Sequence, residues 1–208
     1  MTSESGAIRS QNRANVESPR AMLNQLAMFR RLVTLRDGTH LLLRPLQPAD
    51  EAQLVAFFAH TPPEDLRYLY DDVTDAELVA SWTRNIDLRR VFPLVGLIND
   101  RIVGEATLHM GKGPKRHLAW VRIYLAPEWR GHGVGSHMLK GLIEIARKIG
   151  LHQVIAEIVA SQVRVIKAFE RLGFVHRFSF PDHFMTMEGV TYDVAVMILR
   201  LTEEWDEF

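Results

Sequence analysis

Three glycines in five positions, Gly131, Gly133 and Gly135, stand directly before a helical run in which Leu139, Leu142, Ile143, Ala146 and Ile149 share one face. Glycine has the most backbone freedom to lose on folding, so such a cluster is costly unless something must come close to the chain. The first four N–H groups of a helix lack internal partners, and the helix dipole leaves that end positive. Gly131, Gly133, Gly135 and Ser136 therefore read as a cradle for a phosphate-like group at the start of a helix over 136–149. A turn that only lets helix and strand pack closely is the alternative. Both readings stay open on the glycines alone.

Two phosphate motifs fail. A Walker loop needs Gly-Lys followed by Ser or Thr, and here Gly135 is followed by Ser136 and His137. A dinucleotide fingerprint needs its glycines in a tight turn directly after a strand, but Ala126 to Trp129 intervene.

The surrounding pattern alternates strands and helices. Asp37-Gly38 and Asn99-Asp100 each separate two β-rich runs and predict hairpins. Pro48 opens a helix through PADEAQLVAFFAH, and Thr74 to Glu77 has the form of a capping box for another helix, ending about Asn85. Strands are expected at HLAWVRIYLA, HQVIAEIV, FVHRFSF and TYDVAVMILRL, with a helix at SQVRVIKAFERLG. This order predicts an α+β domain around one mixed sheet. The strand–helix–strand unit at 117–158 should be a right-handed parallel crossover.

The chain has 208 residues, 47% of them apolar, so one domain with extensions can bury a full core. With 25 Lys plus Arg against 25 Asp plus Glu, the net charge is zero, and no nucleic-acid partner is expected. There is no cysteine, which excludes disulfides, thiolate metal sites and thiol nucleophiles and suits a reducing cytoplasm. No apolar run reaches the ~18 residues that would span a bilayer, so no membrane partner is expected. Residues 1–20 are polar and lack the centre of a signal peptide. They read as a tail, and 21–30 as a short amphipathic helix packed on its own domain. Domains are thus an extension over 1–30 and a single unit over 31–208.

Arg130 to Gly135 also fits R/Q-x-x-G-x-G/A and follows a strand ending Tyr124-Leu125-Ala126-Pro127. This resembles the acyl-CoA-binding signature of the GNAT superfamily of N-acetyltransferases. Residues 161–174, SQVRVIKAFERLGF, are similar to that superfamily's later helix, with Ile166, Glu170, Arg171, Gly173 and Phe174 in agreement. The element order over about 39–201 agrees too. The front half, with RPLQPAD before a long helix, resembles bacterial protein-lysine acetyltransferases. The resemblance implies a three-layer α/β/α fold with a mixed, mostly antiparallel twisted sheet of about seven strands. It implies acetyl-CoA as co-substrate and an amine acceptor. The nine histidines show no metal spacing such as H-E-x-x-H, so no metal is expected. A homodimer is a possible assembly.

The resemblance further implies that the strands at 117–126 and 151–158 splay apart around pantetheine. Ile123, Tyr124 and Leu125 would bond it like an added strand. Amides of Gly131, His132, Gly133, Val134, Gly135 and Ser136 would hold the pyrophosphate, with Arg130, Gln162 and Phe169 completing the site. Acetyl would then pass directly to the amine without a covalent enzyme intermediate.

Direct transfer requires the amine to lose a proton, the oxyanion to be stabilised, and the thiolate to leave with or without a proton. Many relatives carry a Glu near residues 119 to 120, where this chain has Ala119 and Trp120. Others place one on the next strand, where Glu157 stands. Glu157 is either that base or a structural carboxylate needing a partner in an apolar strand. The family's Tyr acid is Phe169 here, and its Asn is Gln162. Tyr124 is the expected substitute. Tyr192, His109, His117 and His183 are others, and His132 and His137 flank the cradle. Asp65, Asp71, Asp72 and Asp75, with Tyr68 and Tyr70, give the front of the domain an acidic character that would attract a cationic amine. They could equally be a solvated charge run. The missing Glu and Tyr leave an alternative: a module that binds CoA without catalysis and serves as a regulator or scaffold.

Overall fold

The computed structural model describes residues 25–202. The tail expected over 1–20 and the start of the helix expected over 21–30 lie outside the described residues. Of that helix, residues 25–27 are helical, and Leu26 and Phe29 are buried in the main core.

Eight strands, rather than about seven, form one sheet in the order β1-β2-β3-β4-β5-β6-β8-β7. They are β1 Arg31–Thr34, β2 His40–Pro45, β3 Val91–Ile98, β4 Arg101–Met110, β5 Leu118–Leu125, β6 Gln153–Val159, β7 Val175–Met185 and β8 Thr191–Arg200. The helices are α1 Glu51–Ala59, α2 Pro63–Leu66, α3 Ala76–Arg84, α4 Val134–Lys148 and α5 Val163–Glu170. Every neighbouring pair is antiparallel except β5 and β6, which are joined through α4. This is the mixed, mostly antiparallel α+β arrangement expected.

Both predicted hairpins form. Asn99 and Asp100 have φ of 49° and 59°, the left-handed pair that a two-residue turn demands. The expected capping box shifts by one residue. Asp75, not Thr74, caps α3, and its side chain accepts from the amides of Glu77 and Leu78. RPLQPAD acquires a reason as well. Arg44 at the end of β2 grips Asp50 with two hydrogen bonds of 2.6 and 2.7 Å, and the Gln47 amide donates to the same carboxylate at 2.8 Å. This buried pair fixes the entry to α1.

Two cores lie on opposite faces of the sheet. Leu41, Leu43, Leu94, Ala106 and Leu108 pack against Met138, Leu142 and Ile145 of α4. Leu46, Val95, Leu97 and Ile102 pack against Leu54 and Phe58 of α1 and Val79 of α3. A bulge interrupts the β3–β4 pairing. Gly96 faces Gly104 but Leu97 faces Ile102, so Val103 is the extra residue. Ile102 points to the α1 side, whereas Val103, Ala106 and Leu108 point to the α4 side. The extra residue reverses the phase of the rest of β4. Glu105, Thr107 and His109 therefore face α1–α3 instead of the α4 core.

Candidate active site

β5 and β6 pair only from Leu118↔Gln153 to Trp120↔Ile155 and then separate. Beyond that rung each strand keeps its outer neighbour, β4 or β8. The Ala126 amide bonds the Val103 carbonyl at 3.0 Å, which sets the alternation of the β4–β5 ladder. In that phase the peptide groups of Tyr124 turn toward Glu105 on β4. Those of Ile123 and Leu125 turn toward the opening. The Leu125 carbonyl accepts from Arg130 there, from Nε at 3.1 Å and Nη2 at 2.9 Å.

The glycines after β5 serve two different purposes. Gly131 and Gly133 have φ of 80° and 89°, and Gly133 is the residue from which α4 departs. Gly135 answers to packing, because a Cβ there would lie 3.0 Å from Leu125 Cδ1. The helix begins at Val134, two residues earlier than expected. The first regular helical bond runs from the His137 amide to the Gly133 carbonyl. Among the described residues, the amides of 131–136 donate no backbone hydrogen bond of normal geometry. Six donors at the positive end of a 15-residue helix, with almost no side chain in front of them, suit a pyrophosphate.

A cavity of about 460 Å³ runs from the opening, lined there by Ile123, Ala156, Gln162 and Phe169, to the loops around α2 and α3. Its wall is the polar face of β4 and β5. Register sets Glu105 opposite Tyr124, Thr107 opposite Arg122 and His109 opposite Trp120. Arg122 reaches Asp71 at 3.4 Å and lies 3.9 Å from the centre of the Tyr70 ring. Thr107 Oγ1 is 2.9 Å from His109 Nε2. Burial and the Arg122 charge hold His109 down at about 4, so its imidazole is neutral near pH 7. Burial, then the Asp71 charge, push the Glu105 carboxyl up to about 7, against the opposing pull of Arg122.

The residues singled out in the sequence separate in space. Glu157 and Tyr124 both line the cavity. Glu157 accepts from Trp120 Nε1 at 3.2 Å and from the Tyr70 hydroxyl at 3.5 Å. Tyr124 packs on Phe57 and Phe58 and donates to Asp65 at 3.3 Å; burial pushes its hydroxyl pKa up, so it keeps its proton. Arg130 is tied to the same Asp65 as well as to Leu125. Phe169 is buried against Phe174. Of the other expected substitutes, His109 alone lines the cavity. His117 packs on His152, Tyr192 on Tyr68 and His183 on Phe180. His132 packs on Trp129, and His137 is half-buried in α4 with its pKa lowered by burial. The acidic run divides too. Asp72 and Asp75 hold turns and caps, whereas Asp71, Tyr68 and Tyr70 line the cavity.

Glu105, Thr107 and Arg122 were not anticipated. Their signal was present as alternation: in GEATLHM every second residue is polar, which marks one face of a strand as wet. Among the described residues no group of His, Cys, Asp or Glu is arranged to hold a metal, and no helix is long and apolar enough to cross a membrane.

A sheet opened beside a glycine-fronted helix, with a polar cavity behind the opening, is the layout of an acyl-CoA-dependent acetyltransferase. The chain belongs to the acetyltransferase (GNAT) family, whose pattern it matches over residues 51–174. It is 26% identical over 163 residues to the L-amino acid N-acyltransferase MnaT of Escherichia coli (strain K12), covering 77% of this chain and 94% of that one. A Bacillus subtilis (strain 168) relative is 32% identical over 87 residues, and the chain spans only about half of it, 53%. The fold is that of the GNAT domain of S. lividans PAT, with a TM-score of 0.72 at 22% identity over 84% of this chain and 98% of that one. A similar likeness, TM-score 0.65 and 24% identity over 78% and 95%, holds for yncA from Salmonella typhimurium, solved with its cofactor acetyl-CoA.

Proposed function

We propose that this chain transfers the acetyl group of acetyl-CoA directly to a primary amine of a small molecule or protein, within a ternary complex. One observation carries the reading: a single cavity joins the β5–β6 opening to a wall of ionisable side chains. Pantetheine pairing with the outward peptide groups of Ile123 and Leu125, in place of Arg130 on the Leu125 carbonyl, brings the thioester to that wall. The unpaired amides of Gly131 to Ser136 take the pyrophosphate, and Gln162 and Phe169 border the thioester end. Tyr124, kept protonated by burial, is a proton source for the departing thiolate. Asp71 and the Tyr70 ring are already taken by Arg122, but the carboxyl groups of Asp71, Asp87, Glu105 and Glu157 outnumber Arg90 and Arg122 along the cavity, which favours a cationic acceptor. The related L-amino acid N-acyltransferase makes an α-amine one of the first acceptors to test.

The test is thiol release from acetyl-CoA in the presence of L-methionine, spermidine, an aminoglycoside and a lysine-containing peptide. Release that depends on one of these amines, with the acetylated amine seen by mass spectrometry, is the expected result. CoA binding without transfer across the panel favours the alternative, a CoA-binding regulatory module. Ala119 and Trp120 in place of a carboxylate are what support that alternative.

A further inference from the structure

Two carboxylates face the cavity, and they differ in what they already hold. Glu157 spends both oxygens, one on the Trp120 indole and the other on the Tyr70 hydroxyl. Glu105 is half-buried, yet among the described residues it accepts no side-chain hydrogen bond and joins no ion pair. A carboxylate taken out of water without partners is a net cost to folding. The sheet nevertheless turns this residue inward: without the bulge at Val103, the phase of β4 would send Glu105 to the α4 side and the neighbouring Ala106 and Leu108 to the cavity. Across the ladder Glu105 faces Tyr124, which is next to Ile123 at the opening.

We propose that Glu105 is the general base that takes the proton from the acceptor amine. This rests on the N-acetyltransfer reading above and assigns the proton acceptor within it. The amine nitrogen bonds to the thioester carbonyl carbon, and the carbon–sulfur bond breaks with its electron pair leaving on sulfur. The proton lost by nitrogen goes to a Glu105 oxygen and from there to solvent. Oxidation states do not change.

The environment suits the task. The ionisable groups that line the cavity with it are Tyr68, Tyr70 and Asp71 from the segment between α2 and α3, Asp87 and Arg90 between α3 and β3, His109 from β4 itself, Arg122 and Tyr124 from β5, and Glu157 from β6; Asp71 and Arg122 are the charges that act on it. Burial and Asp71 raise the carboxyl to about 7, and Arg122 limits the rise. A base with that affinity is about half ionised near neutral pH and holds a proton well once it has taken one. Glu157, bonded to an indole N–H, instead positions the β5–β6 junction.

The experiment uses the full chain with acetyl-CoA and whichever of L-methionine, spermidine or a lysine peptide the wild type acetylates. Glu105→Gln should lower kcat by roughly 10²–10⁴-fold and flatten the rise of kcat/KM around pH 7. CoA affinity by calorimetry should be unchanged. Glu157→Gln should leave the shape of the pH profile intact. Should Glu105→Gln fail to fold, Glu105→Asp keeps the charge and retracts it by one methylene; kcat should fall by about ten-fold or more while the pH dependence persists. A folded Glu105→Gln protein with wild-type kcat and pH profile overturns the assignment and leaves acetyl transfer standing. So does a flattened profile in Glu157→Gln alone. A wild-type chain that binds acetyl-CoA yet acetylates none of the probes overturns the transfer reading and this proposal together.

Discussion

Trp120 and Glu157 meet across the rung where β5 and β6 part company, indole Nε1 to carboxylate Oε1, 3.2 Å. Trp120 is the last residue of β5 paired to β6, and Glu157 lies two residues past Ile155, the last residue of β6 paired to β5. Their bond closes the apex of the opening. Trp120→Phe removes the donor and keeps the ring. It should cost about 1 kcal/mol in urea denaturation, the ordinary contribution of such a bond. In a double-mutant cycle with Glu157→Met, which removes the acceptor, the two effects should fail to add by at least ~0.5 kcal/mol. Strict additivity would mean that the contact holds nothing.

Gly133 and Gly135 should respond differently to substitution. Gly133→Val forces a branched side chain into left-handed backbone, costing roughly 1–2 kcal/mol of stability. It also places bulk before the free amides, so CoA affinity should drop ~10-fold, the equivalent of about 1.4 kcal/mol. Gly135→Ala pushes its Cβ to within 3.0 Å of Leu125 Cδ1, so its loss should show in stability. Calorimetry and urea melts on both variants separate the effects. Normal CoA binding by folded Gly133→Val would remove the pyrophosphate from this loop.

The Arg44–Asp50 pair gives an acid signature. Burial alone would raise the Asp50 carboxyl, but the Arg44 guanidinium and the Gln47 amide win and hold it below its ordinary value of 3.8. A depressed carboxylate adds stability that is present above the unfolded pKa and lost as pH falls through the folded one. Asp50→Asn should therefore cost about 3–5 kcal/mol at pH 7, because it leaves a buried guanidinium uncompensated. The gap to wild type should narrow below pH ~4. A gap that is constant from pH 3 to pH 7 would show that Asp50 does not titrate with folding.

Glu105 has the opposite sign. Its folded carboxyl titrates at about 7, against 4.5 in an unperturbed chain. Between those values the folded protein holds a proton that the unfolded chain has released, so stability declines as pH rises. Glu105→Gln should thus gain on wild type between pH 5 and pH 8 in paired urea melts. Stability gained where activity is lost would mark Glu105 as a residue retained for chemistry. A difference that does not change with pH would contradict the raised affinity.

The sequence disclosed most of the strands because hairpin turns and alternation are local signals. Asn99-Asp100 and the run from Gln153 to Val159 needed nothing beyond their neighbours. The helix start behind the glycine loop was legible for the same reason, to within two residues. What stayed hidden depended on register. The bulge at Val103 leaves no mark on composition, yet it decides which side of β4 faces the cavity, so His109 was noted and Glu105 was not. Arg122 reads as one cation in an apolar strand until Asp71 and Tyr70 arrive from about fifty positions upstream. The resemblance led to Ala119 and Trp120 on β5 as the place to look for a carboxylate, while one without a side-chain hydrogen bond or ion pair among the described residues stood one strand away, directly opposite Tyr124.

The extra residue in β4 also bears on how such a protein could change over generations. Point substitutions along Glu105, Thr107 and His109 alter the cavity wall one side chain at a time. Loss of one codon at Val103 or Gly104 would instead exchange the two faces at a stroke. Ala106 and Leu108 would then meet the cavity, and three polar groups would be driven into the packing of α4. A lineage could move between an ionisable and an apolar wall by a single in-frame deletion or insertion, with helices and loops carried over unchanged.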